Sequence, residues 1–260
     1  MVKEIITTPL FTALIGLALG SFLHATAHRI AYEKPVFRRR SHCPTCDVLI
    51  AWYHNIPVLS WLLLGGRCCS CKSIISWIYP FTELVTAIGL TLIWHFMPFQ
   101  SVYSGVVYTL FLSGLIVATV SDLHTMTIPQ IASIWLAPVG LFASTLRLLP
   151  ITLFQSVAGA AIGYASLWGI NELFKKTRGM DGIGIGDMEL FCMIGAFTGP
   201  IGLWHTLLIA SVTGALVGGG LRLLKQNSSP LIPFGPFLAL GAFGHLIFQA
   251  QLQRLLMMGW

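Results

Sequence analysis

Long apolar stretches separated by short polar breaks repeat along the whole chain. At about 20 residues per crossing of about 30 Å of hydrocarbon, they predict spans at roughly 6–27, 78–97, 101–120, 129–149, 151–174, 188–204, 205–224 and 235–256. A closed barrel would instead alternate polar and apolar residues in segments of about 10, and that pattern is absent, so the spans are read as helices. Gly199-Pro200 interrupts the sixth, and only the polar triplet Trp204-His205-Thr206 parts it from the seventh, so the same pattern admits seven or nine. The expected fold is all-α: a polytopic membrane protein with about eight transmembrane helices and one small loop domain. That loop divides the chain into a first helix at 1–27, the loop at 28–77 and a multi-helix body at 78–260. Around the first apolar run the basic residues, Arg29 and Arg38 to Arg40, follow instead of preceding, which favours a retained anchor over a signal peptide.

Composition strengthens the membrane reading, because 55% of the 260 residues are hydrophobic and 9% charged, against about 25% charged in soluble domains. The net charge of +6 would otherwise raise the question of an acidic partner. With eight spans, the segments after spans one, three, five and seven share one side and carry 12 of the 15 basic residues; only Lys3, Arg147 and Arg254 fall on the other. The bias of Lys and Arg places the first side in the cytoplasm. Topology and contact with anionic lipid therefore account for the charge, and no nucleic-acid partner is needed.

The 28–77 loop holds Cys43-Pro-Thr-Cys46 and Cys68-Cys-Ser-Cys71, two C-x2-C knuckles with 21 residues between them. This is close to zinc-ribbon spacing: each tight turn supplies two thiolates, and two turns supply the four corners of tetrahedral zinc. A pair of disulfides is the alternative, and it requires an oxidising compartment that the basic flanks argue against. Four cysteine ligands close the coordination sphere, so the expected zinc, on Cys43, Cys46, Cys68 and Cys71, is structural. Cys69 reads as a spare thiol, Cys192 as a packing residue, and His42 and His54 as reserve ligands.

Chemistry is sought at two of only nine acidic residues, Asp122 and Asp187, which stand at span edges. An ionised carboxylate at membrane depth costs about 2.5–3.5 kcal/mol and marks a functional site by default. Four glycines fall in the eight residues before Asp187, in Gly179-Met-Asp-Gly-Ile-Gly-Ile-Gly-Asp. No strand is predicted before them, which weakens the match to a dinucleotide fingerprint. Irregular glycine backbone at membrane depth fits the lining of a wet cavity that takes a peptide. The competing reading of either aspartate is a helix cap. Two carboxylates in one site cannot both ionise easily, so one holds a proton while the other activates water.

In order along the chain come Gly20-Ser-Phe-Leu, His28-Arg29, Cys43-Pro-Thr-Cys46, Asn55-Ile-Pro-Val-Leu-Ser-Trp-Leu, Gly66-Arg-Cys, Cys71, Tyr79-Pro and Glu83-Leu. Asp122-Leu, Ile128-Pro129, Gly184-Ile-Gly-Asp187 and Pro233-Phe-Gly-Pro-Phe-Leu-Ala-Leu-Gly-Ala follow. In this order and spacing the chain resembles the type IV prepilin peptidases, integral-membrane aspartic proteases that also serve type II secretion pseudopilins. The resemblance implies that Asp122 and Asp187 are the catalytic pair and that the four cysteines bind zinc. It implies removal of a short basic leader from prepilins or pseudopilins, after a glycine, at the cytoplasmic face of the bacterial inner membrane. It also implies methylation of the new N-terminus with S-adenosylmethionine, for which no residue here places the donor; Glu83 is one polar candidate, with a buried pairing to a neighbouring helix as its other reading.

Three positions depart from the family pattern. His24 stands for an asparagine, Gln130 for an acidic residue, and Glu189 for a lysine. A Glu189 close to Asp187 would disfavour its ionisation, whereas one pointing to solvent would only complement the helix dipole. A proton- or cation-coupled transporter and a catalytically silent assembly factor are the readings from other classes; neither accounts for the cysteine module and the ordered motifs together.

Overall fold

A computed structural model of the chain describes residues 8–33, 35, 41–97, 101–223 and 232–257. Lys3, Lys34, Arg38 to Arg40 and Lys225, which enter the charge asymmetry, lie outside them. The described residues form helices and no strand, with two isolated antiparallel bridges at His42–Leu49 and Arg67–Ile74. The chain divides into two compact units, Met1–Met97 and Pro98–Trp260.

The first unit pairs α1 (Pro9–Ala31) with α3 (Ile78–Phe96), and between them the loop carries the short α2 (Leu59–Leu63). Gly16 and Gly20, four apart on α1, allow the helices to close: a Cβ on Gly20 would stand 2.8 Å from the Glu83 Cα. This is the small-xxx-small contact of apolar helices, where backbone proximity takes the place of a hydrophobic drive. Polar groups meet across the seam. His24 Nδ1 lies 3.0 Å from Thr82 Oγ1, and the Glu83 carboxylate accepts the Val58 N–H at 2.7 Å. Glu83 thus meets both loop backbone, at a Val58 held with φ of 61°, and the Ser21 side chain of the neighbouring α1.

The second unit runs through α4 (Val102–Thr125), two 3-10 turns (Gln130–Ala132 and Ile134–Leu136), α5 (Ala137–Thr145), α6 (Leu153–Arg178), α7 (Ile185–Leu223) and α8 (Gly235–Met257). Helix α7 is the hub, packing on α5, α6 and α8, while α8 also packs on α4. Helix α6 opens with a reciprocal capping box between Thr152 and Gln155. Where α6 meets α7, Gly159 lies directly against the backbone of Gly195, and Gly163 against that of Phe191. Ser156 seals the crossing by donating to the Ala196 carbonyl.

Among the described residues, four helical stretches are by length and hydropathy long and apolar enough to cross a membrane: Pro9–Ala31, Val102–Thr125, Leu153–Arg178 and Ile185–Leu221. Shorter apolar helices lie at Gln130–Thr145 and Gly235–Gln249. Phe154, Trp168 and Leu173 of α6 and Val212 and Leu216 of α7 stand exposed, a surface that water would penalise and lipid covers.

Two expected boundaries move. The break expected at Trp204-His205-Thr206 lies at Gly199, whose φ of 68° and ψ of −177° turn the chain just before Pro200. Glycine adopts that backbone freely, and proline lacks the N–H that a continuing helix would need. His205 and Thr206 look like a break only because they are polar; they are buried within the helix, and His205 Nδ1 meets His245 Nδ1 of α8 at 2.9 Å. The span expected at 129–149 is irregular over its first half, where Ser133 takes φ −125° and ψ −101°.

The α6–α7 crossing generates a prediction. Gly159→Ala forces the backbones apart and destabilises the protein by about 1–3 kcal/mol. Gly169→Ala, on the same helix with open space around it, is neutral or stabilising by up to about 1 kcal/mol through helix propensity. Thermal unfolding of the two purified variants checks the contrast, and equal midpoints would refute it.

Candidate active site

Asp122 occupies the last turn of α4, the end at which the helix dipole opposes a negative charge. Capping of its own helix therefore cannot be its role. Its carboxylate instead reaches the start of α8, where Oδ2 accepts the Gly235 N–H at 2.9 Å. That N–H is one of the orphan donors of a helix N-terminus, and the dipole there favours an anion. A Cβ on residue 235 would stand 2.8 Å from Oδ2, so glycine leaves the carboxylate room to sit over that N–H. Asp122 is 5% exposed.

Asp187 is the third residue of α7, again at a helix N-terminus. Its Oδ2 lies over Gly184, 3.3 Å from where a Cβ would be, and its Oδ1 is buried without a hydrogen-bond partner. Cap geometry thus leaves one oxygen of Asp187 unused. Both aspartates line one cavity of about 300 Å³, together with Met126, Thr127, Ile128 and the Gly184–Gly186 backbone. This is the lower end of ligand-pocket volumes, about 300–1,000 Å³. Among the described residues no basic side chain lines it.

Two residues that shape the site, Asn171 and Ser133, were not singled out by the sequence. Asn171, 7% exposed on α6, accepts the N–H groups of Gly182 and Ile183 at 2.8 and 3.0 Å and donates to Asp181 Oδ1 at 3.0 Å. It therefore fixes the glycine-rich turn that delivers Asp187. The Asn171 amide, with Lys175 beside it, holds the Asp181 carboxyl below the ordinary range. Gln130 and Ser133 both donate to Glu189, which is buried and lines the cavity. The solvent-facing reading of Glu189 is thereby overturned. An amide inside an apolar helix is the signal that would have singled out Asn171, since such a group needs partners.

Models of known families match both units. One described as "Bacterial Peptidase A24 N-terminal domain" matches residues 14–97, and one described as "Type IV leader peptidase family" matches residues 109–219. A "Prepilin leader peptidase/N-methyltransferase" of Stutzerimonas stutzeri is 34% identical, across 92% of this chain and 90% of its own length. The chain belongs to the type IV leader peptidase family. A relative of the same description from Pseudomonas aeruginosa is 34% identical, across 94% and 92% of the two chains. A "Type 4 prepilin-like proteins leader peptide-processing enzyme" of Escherichia coli is 31% identical, across 93% and 94%. No solved structure matches the chain. As a leader peptidase family member with several apolar helices, the chain is a multi-pass membrane protein.

In the first unit of this leader peptidase relative, the cysteines converge. The sulfurs of Cys43, Cys46, Cys68 and Cys71 all lie within 4.8 Å of one another, close enough to hold one metal ion. The two knuckles repeat one turn. Cys43 N–H donates to the Val48 carbonyl and Cys68 N–H to that of Ser73, while Asp47 and Lys72, each following a second cysteine, take φ of 56° and 59°. Although burial pushes the Cys43 thiol up, backbone N–H groups of Cys46 and Thr45 and the Ser73 hydroxyl bring it down to about 6. Cys46 accepts from the Val48 backbone, yet partial burial and the neighbouring thiols leave it pushed up to about 12. One charge among crowded sulfurs thus suppresses the next. His42, 3.6 Å from Asp47, stands outside the cluster, and Cys69 and Cys192 take no part in it.

The Asn171 anchor is testable by amide exchange. Asn171→Ala removes three hydrogen bonds and speeds exchange at Gly182 and Ile183 by roughly 10- to 100-fold. Lys175→Ala breaks an ion pair whose side chains are 53% and 61% exposed, and it leaves exchange within about threefold of wild type. Equal effects of the two would show that the amide is not the anchor.

Proposed function

We propose that this chain is a membrane aspartic endopeptidase that removes the leader of type IV prepilins or type II secretion pseudopilins, with Asp122 and Asp187 as its catalytic pair. The observation that carries the reading is that these two carboxylates, from helices α4 and α7, face one cavity. One carboxyl carries a proton and the other is ionised. The ionised group takes a proton from a water molecule as its oxygen attacks the scissile carbonyl carbon, and the protonated group gives its proton to the carbonyl oxygen. Collapse of the tetrahedral species breaks the C–N bond: the carboxyl that took the water's proton gives it to the departing nitrogen, and the other carboxylate takes a proton from a hydroxyl of the tetrahedral species as the product carbonyl forms. The Lys and Arg asymmetry supports placing this site at the cytoplasmic face of the bacterial inner membrane, where the substrate's apolar helix remains in lipid and its charged leader in water.

The reading includes transfer of a methyl group to the new N-terminus after cleavage, as the relatives' names imply for them. S-adenosylmethionine would supply an electrophilic methyl group for that transfer.

The four cysteines fit zinc. Sulfurs about 2.3 Å from a tetrahedral ion stand about 3.8 Å from one another, and Cys43 Sγ and Cys71 Sγ are 3.8 Å apart. With all four positions taken by protein, the ion organises the 28–77 loop and offers no site for water.

Asp122→Asn and Asp187→Asn each lower leader cleavage by about 10²- to 10⁴-fold or more, while methylation of an already cleaved pilin persists. Cleavage of a purified precursor with matched amounts of folded protein checks this, and near-wild-type turnover by either variant removes that residue from the pair. Metal analysis should find about one zinc per chain. Serine at position 43, 46, 68 or 71 should release it, and Cys69→Ser and Cys192→Ser should retain it. Native disulfides among these cysteines would contradict the metal site.

A further inference from the structure

Glu189 is a third carboxylate on the cavity, and its surroundings differ from those of the aspartates. It is 8% exposed, its Oε1 accepts from Gln130 Nε2 at 3.1 Å, and its Oε2 from Ser133 Oγ at 3.2 Å. Both donors sit in the segment that follows α4, so Glu189 ties that segment to α7. Asp187, half a turn earlier on the same helix, keeps an oxygen without a partner. A carboxylate held at both oxygens by neutral donors is built to hold a position.

Ile128 lies two residues before Gln130 in that segment. The Cβ of Ile128 lies 2.9 Å from the point a Cβ on Gly186 would occupy, and its Cδ1 lies 3.1 Å from the equivalent point on Gly235. Gly186 immediately precedes Asp187, and Gly235 supplies the N–H bonded to Asp122. Ile128 is therefore a wedge between the two backbone stretches that fix the aspartates. Close packing makes such a wedge a spacer, because Ile128 fills the space beside both glycine backbones.

We propose that Glu189 is a positioning residue: through Gln130 and Ser133 it latches the segment 128–133 onto α7, and the seated Ile128 sets the separation of Asp122 from Asp187. The kinetic part of this inference rests on the peptidase reading of the cavity. The latch needs complementarity between positions 130 and 189 more than it needs these residue types. A carboxylate at 130 with an ammonium at 189 would serve as well, whereas two carboxylates would repel.

The test is a cycle in the full-length protein in lipid, comparing wild type, Gln130→Glu, Glu189→Lys and the double variant. For cleavage of a prepilin, each single variant lowers kcat by roughly 10-fold or more with a smaller change in KM, and the double variant recovers to within about threefold of wild type. Glu189→Gln keeps both limbs of the pH–rate profile, because Asp122 and Asp187 remain the titrating groups in the cavity. Amide exchange across residues 126–136 provides a reading that needs no turnover: it speeds in Glu189→Ala by about 10-fold and stays unchanged over residues 43–71. The proposal is overturned if the double variant is no better than the poorer single one, if Glu189→Gln loses a limb of the profile, or if exchange in Glu189→Ala matches wild type. Absence of cleavage by wild type would defeat the peptidase reading instead, and exchange alone would then decide the latch.

Discussion

A carboxylate at the end of an apolar helix persists only where its lone pairs meet donors, and for Asp122 the donor is the first N–H of another helix. The 2.9 Å bond from Gly235 joins the end of α4 to the start of α8 and places the charge at the favourable pole of α8. Much of the second unit can be read as what this contact requires. Residue 235 brings no side chain to crowd the carboxylate, and the segment leaving α4 returns close enough for Ile128 to pack against the same glycine. Asp187 reaches the cavity by the same physics from a second helix N-terminus, and Asn171 fixes the turn that precedes it.

The close approaches elsewhere follow from the absence of a hydrophobic drive between helices inside lipid. Gly16 and Gly20 in the first unit and Gly159 and Gly163 in the second bring backbones into contact, and single polar side chains such as Ser156 and His24 complete the seams. The small loop of the first unit uses another device. Too short for a core of its own, it repeats one tight turn and gathers four sulfurs within 4.8 Å.

Much of this was legible in the residue pattern. Apolar runs located the helices, the paired knuckles located the cysteine cluster, and two rare carboxylates at span edges proved to face one cavity. What escaped were features whose meaning depends on a distant partner. His205 and Thr206 read as a polar break, because their burial and the pairing of His205 with His245 depend on packing that hydropathy does not show. The bend belongs to Gly199, whose positive φ no hydropathy pattern reveals. Glu189 and Gln130 stood out as separate departures from the family pattern 59 positions apart, and only the fold makes them one hydrogen-bonded pair. Asn171 resembled any polar residue on an apolar helix until three hydrogen bonds gave it a task.

The proposed peptidase chemistry requires the scissile bond of the substrate to lie in the cavity that Asp122 and Asp187 line. A leader-spanning peptide carrying a hydroxyl-bearing isostere in place of the scissile amide, with a photoreactive group beside it, tests that claim most directly. It should compete with precursor cleavage and form cross-links within residues 126–130 and 184–189. Cross-links confined to the cysteine loop at 43–71, from a peptide that still inhibits cleavage, would contradict the account.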